Sequence, residues 1–89
     1  MEFTREKEKV VVYDNNEELA VIEYSYIDSN TIEITHTFVS DKLRGQGVAS
    51  KLMEEVISIA KENKLRIVPI CSYAKSYFNK HIEYEYLLK

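Results

Sequence analysis

The stretch Thr31-Ile32-Glu33-Ile34-Thr35-His36-Thr37-Phe38-Val39, followed after Ser40 to Leu43 by Arg44-Gly45-Gln46-Gly47-Val48-Ala49, changes its apolar period from two to nearly four. In its first part Ile32, Ile34, His36 and Phe38 alternate with Glu33, Thr35, Thr37 and Val39, which predicts a strand with two distinct faces. From residue 48 to 62 the apolar positions are Val48, Ala49, Leu52, Met53, Val56, Ile57 and Ala60, at three- and four-residue spacing. Lys51, Glu54, Glu55, Ser58, Lys61 and Glu62 fill the other side, so an amphipathic helix follows the glycines and stops at Asn63-Lys64.

Upstream, Val10-Val11-Val12-Tyr13 is a β-branched run, and Asp14-Asn15-Asn16-Glu17 supplies a turn. Leu19 to Ile27 places Ala20, Ile22, Tyr24 and Tyr26 on one face, and Asp28-Ser29-Asn30 turns the chain again. Three strands joined by compact turns make an antiparallel meander. Downstream, Leu65 to Ile70 is strand-like, with Pro69 as an interruption or an unpaired edge. A short helix starts at Ser72, its expected N-cap, and runs to Lys80; Tyr84 to Leu88 is a candidate last strand. The order βββ-α-β-α-(β) predicts an α/β (α+β) fold: a mixed sheet in which the meander leads into a right-handed β-α-β unit and a short C-terminal helix.

At 89 residues the chain is read as one domain, residues 1–89, with one core. Two Gly, one Pro and no repeat argue against disorder and solenoids. Twelve basic against fifteen acidic residues leave a net charge of −3, which argues against a general nucleic-acid surface. No apolar run approaches a membrane span, and the charged start Met1-Glu2-Phe3-Thr4-Arg5 has no apolar leader core. The single Cys71 forms no internal disulfide, so the expected compartment is the cytoplasm, with a monomer or an edge-strand dimer as the expected state.

Two glycines before a helix let a ligand approach the main chain, and the free amides of a helix start favour a phosphate. Lys42, Arg44 and Lys51 add positive charge nearby. The bare spacing fits an ordinary loop equally well. The string Arg44-Gly45-Gln46-Gly47-Val48-Ala49, however, resembles the (Gln/Arg)-x-x-Gly-x-(Gly/Ala) motif of GNAT N-acetyltransferases. Together with Thr35-His36-Thr37-Phe38-Val39 and Pro69-Ile70-Cys71-Ser72-Tyr73 it is similar to the compact, single-domain Yjdj-type group of that superfamily.

The resemblance implies acetyl-CoA (or CoA) as the bound cofactor. The pyrophosphate would lie on the amides of Gly45, Gln46, Gly47, Val48 and Ala49 beside Arg44, and pantetheine would bond the main chain near Phe38 and Val39. It also implies that the strand ending at Val39 splays from the strand at Leu65–Ile70. Ordinary members carry a Tyr four residues after an Ala in the late helix as the thiolate-protonating acid. Registering Ala74 on that pattern puts Phe78 at the acid's place, with Tyr77 about 100° away around the helix.

Cys71 precedes a helix start, where a thiol can serve as a nucleophile; a small buried hydrophobe is the alternative on its own sequence. The resemblance favours the catalytic role, and for His36 it implies a general base or a partner of the Cys71 thiolate, against a groove histidine. His81 reads as a helix-end charge and packing residue, and the two histidines and one cysteine have no metal-ligand spacing. Tyr73, next to Cys71, is a candidate for the wall of an acceptor channel. The expected activity is an N-acetyltransferase moving acetyl from acetyl-CoA to an unidentified amine. A CoA-binding module with little turnover is the rival.

Overall fold

A computed structural model describes residues 1–89. Five strands, β1 (Glu2–Glu6), β2 (Lys9–Asp14), β3 (Glu17–Asp28), β4 (Thr31–Val39) and β5 (Arg66–Pro69), lie in the order β1-β2-β3-β4-β5. The first three pairings are antiparallel and β4 with β5 is parallel. Helix α1 (Val48–Asn63) makes the crossover, and α2 (Ser72–Lys80) follows β5. A 3-10 turn, Asp41–Leu43, precedes the glycine loop, and a 3-10 helix, Ile82–Leu87, ends the chain.

Buried residues of β2, β3, β4, α1, β5 and α2, with Leu65 and Leu87, form one cluster of 20, in which Ile22, Ile32, Ile34, Leu52, Met53 and Ile67 are sealed from solvent. The heptad-like spacing of α1 is what seats Val48, Leu52, Met53, Val56, Ile57, Ile59 and Ala60 on the sheet. Lys64 closes the helix in the left-handed region at φ 57°, where its amide reaches the carbonyls of Ala60 and Lys61.

β1 is an additional strand. Its charged sequence hides an alternation in which Phe3 packs on the core while Arg5 reaches across to α1, bonding Glu55 at 3.0 Å and Glu62 at 2.9 Å. Three further expectations change. The N-cap of α2 is Cys71, not Ser72, and its side chain makes no capping bond. Tyr26, expected on the inner face of β3, is exposed. The Tyr84–Leu88 strand is instead the 3-10 helix, because Tyr84 and Leu87, three apart, turn toward the core; only Leu88 bridges to Ile67.

The largest departure lies within β4. Glu23 pairs with His36, and the next residue, Tyr24, pairs with Ile34, so Thr35 is an extra residue in a bulge. A bulge resets the alternation. Cross-strand partners share a face, so Val39 opposite Ala20 and Thr37 opposite Ile22 point to the core side. Phe38 opposite Val21 and His36 opposite Glu23 therefore point to the outer side, and both are exposed. His36 and Phe38 do not share the face of Ile32 and Ile34.

Candidate active site

Pro69 has no amide hydrogen to continue a ladder, and the pairing of β4 with β5 ends where it meets Ile34. The amides of Ile70 and Cys71 both turn to the Ile34 carbonyl, at 3.0 and 3.1 Å. From Thr35 to Val39 the β4 edge has no strand beside it. Ser40 donates to Leu19 on the β3 side at 2.7 Å. Alternation then turns the peptide groups of Thr37 and Val39 outward, to the open edge, and that of Phe38 inward, to β3.

The open edge runs into a cleft of about 590 Å³ lined by Thr37 and Val39 of β4, Leu43 to Gly45, Gly47 to Ser50, and Tyr73 of α2. At its far end Gly47 caps α1 with φ 72°, and Gly45 has φ 81°. A Cβ at either position would meet nothing within 4 Å. The first helical bond is Lys51 N–H to the Gly47 carbonyl, 3.1 Å. The amides of Val48, Ala49 and Ser50 are therefore left without helical acceptors, at the positive end of the helix dipole. No side chain caps this end. Main-chain amides facing an open cradle are what a phosphate group fits.

Arg44 lines the cleft and pairs with Asp41 at 2.7 Å; Lys42 pairs with Glu17 at 3.4 Å, all well exposed. Of the expected cofactor contacts, Val39, Arg44, Gly45, Gly47, Val48 and Ala49 line the cleft. Gln46 does not, its amide group lying 3.5 Å from the Lys42 carbonyl. Phe38 does not either: it is 48% exposed on the outer face.

Cys71 is half-buried and stands behind the cleft wall, with its Sγ 3.6 Å from Thr37 Oγ1. His36 lies on the other side of the sheet, so the structure does not bring it to Cys71 as a thiolate partner. The side chain beside the sulfur is Thr37 instead, and sequence alternation missed it because the bulge is what turns it inward. The residue types alone carried no signal for this; Tyr73, expected on the wall of an acceptor channel, lines the same cleft as the glycine loop.

A family model of GCN5-related N-acetyl-transferases matches residues 6–87, nearly the whole of this sheet and cleft. The chain belongs to that family. A GCN5-like protein from Staphylococcus aureus, solved by NMR, superposes with a TM-score of 0.82 at 40% identity, over 99% of this chain and 87% of its own. "Protein NATD1" of Xenopus tropicalis is 31% identical over 68 residues, 76% of this chain; the match spans 62% of that relative's length. A GNAT family acetyltransferase from Elizabethkingia anophelis, solved with acetyl-CoA bound, shares the fold at a TM-score of 0.64 and 24% identity, over 83% of this chain and 51% of its own.

Phe78, which the GNAT register assigns to the usual acid's place, is buried. Tyr77 is only 5% exposed and stacks on His81, with ring centres 4.1 Å apart. Burial first, then neighbouring Tyr84, pushes its phenol up to about 12. Unfolded tyrosines ionise near 10, so the folded state holds this proton more tightly. The stability that follows is whole below pH 10 and is lost as pH rises toward 12. The melting temperature is expected to fall over that window, less steeply in Tyr77→Phe; equal slopes would show that Tyr77 ionises as freely folded as unfolded. No helix is long and apolar enough to cross a membrane, and no three metal-ligating side chains come together.

Proposed function

We propose that residues 1–89 act as one N-acetyltransferase unit that binds acetyl-CoA in the cleft and passes its acetyl group to an amine, in the cytoplasm. The observation that carries this is the continuity of the open β4 edge with the unsatisfied amides of α1 in one cleft. The amides of Gly45 to Ala49 and Arg44 would hold the pyrophosphate, and the outward peptide groups of Thr37 and Val39 would hold the pantetheine arm. The Elizabethkingia relative with acetyl-CoA bound supports the ligand.

The bound group supplies an activated acetyl thioester. Cys71 Sγ is the proposed nucleophile: its bond to the acetyl carbon forms as the donor thioester breaks and the donor thiol is released. The amine then takes the acetyl and frees Sγ. His36 would accept the amine proton only if the amine came from the outer face, where its exposed side chain lies away from Cys71.

The test is mass spectrometry after incubation with acetyl-CoA. One added acetyl is expected, absent in Cys71→Ala, while calorimetry finds CoA bound to both with micromolar affinity, about −8 kcal/mol. Transfer to an amine panel undiminished in Cys71→Ala would sink the covalent route. The second reading, a CoA-binding module, is favoured by Phe78 and the sealed Tyr77, which leave the usual acid's place without an accessible hydroxyl. Tight CoA binding with no acetyl on any amine would decide for it.

A further inference from the structure

We infer that Thr37 is a positioning residue for Cys71, aiming its sulfur toward the cleft through the hydroxyl; this rests on the proposed role of Cys71. The bulge at Thr35 turns Thr37 onto the core side, against the alternation of the strand before it. Thr37 then lines the cleft, while Cys71 stands behind the wall with its Sγ 3.6 Å from Thr37 Oγ1. This hydroxyl is the one hydrogen-bonding group that the structure gives the sulfur. Cys71 also caps α2 without using its side chain, so beside its packing on the core the threonine is the sulfur's one polar restraint.

The backbone around the pair is fixed from both sides. The Cys71 amide is bound to the Ile34 carbonyl at 3.1 Å, and its carbonyl accepts from Lys75 at 3.0 Å. Thr37 is held opposite Ile22 in the sheet. With both main chains anchored, the free variables are the two side-chain rotations, and the O–H···S contact couples them. Either atom can donate in this contact, and with the hydroxyl as donor it holds the sulfur lone pairs in one direction.

The experiment measures alkylation of the single cysteine by iodoacetamide, in which an Sγ–carbon bond forms and iodide leaves. It needs no bound cofactor, so it decides about Thr37 even if acetyl-CoA does not bind, a result that would overturn only the functional proposal. Thr37→Val keeps the shape and removes the hydroxyl. Alkylation is expected to slow about tenfold, the scale of one lost hydrogen bond to a charged group. Thr37→Ser should return the rate to within about twofold of the parent. Thr37→Val reacting at the parental rate overturns the inference, and so does Thr37→Ser reacting as slowly as Thr37→Val. Thr37→Ala, which strains nothing, gives the same comparison if the valine variant does not fold.

Discussion

Gly47→Val is expected to lower CoA affinity by about a hundredfold or more, some 2.7 kcal/mol, in a protein whose sheet and core remain. Two effects act at that position. Its φ of 72° is a left-handed conformation that costs an L-residue about 1–2 kcal/mol, and more for a β-branched one. A Cβ there points into open space, the same space that a phosphate needs to reach the amides of Val48 to Ser50. Strain and obstruction can be separated with Gly47→Asn, since asparagine tolerates this backbone but still fills the cradle. Calorimetry with CoA, beside a thermal melt, is the measurement. Both variants should bind weakly, and only the valine variant should also melt early. A folded Gly47→Val that binds CoA like the parent would mean that the phosphate lies elsewhere.

The second large effect concerns stability, and it tests the bulge. Ile34→Ala should destabilise the protein by about 2–5 kcal/mol, because a fully buried isoleucine leaves a cavity that its neighbours fill only in part. For a domain of this size that is a fall of roughly 10 °C or more in melting temperature. His36→Ala, two residues along the same strand, should change stability by no more than about 0.5 kcal/mol. An unbroken strand would put the two side chains on one face, with comparable costs. Equal destabilisation by the two substitutions would therefore remove the bulge, and with it the turn of Thr37 toward the cleft.

That pair of residues also marks what could be read from the chain. The extent of α1 was legible because sixteen residues of one period integrate a strong signal, and the observed Val48–Asn63 differs from 48–62 by one residue. The glycine loop was legible because positive φ and an uncapped helix start leave a compositional trace. The parting of β4 and β5 was announced by Pro69. The bulge was not legible: Thr35 looks like any alternating residue, and only its partner strand, with Glu23 and Tyr24 consecutive against His36 and Ile34, exposes the extra residue. One uncounted residue put His36 and Phe38 on the outer face and turned Thr37 to the cleft. β1 was hidden for another reason. Arg5 stands at an inward position with Glu55 and Glu62 as partners, so charge stands where a pattern search expects an apolar residue. The C-terminal segment failed on period, since Tyr84 and Leu87 are spaced for a 3-10 turn rather than for a pleat.

The strand order of the sheet is simply the order of synthesis, β1-β2-β3-β4-β5, and this shapes how the chain reaches its fold. Each of the first three pairings joins sequence neighbours through a tight turn, so the loops to be closed are short and their entropy cost is small. The meander can assemble stepwise from local contacts, which are the fast ones. Only the last pairing must wait, because β5 meets β4 after the sixteen-residue helix has formed and swung across. The cleft lies at that late joint. Its two walls, β4 and the start of α2, are therefore expected to join last, and the amides of Ile70 and Cys71 at that joint to exchange with deuterium sooner than those of the meander.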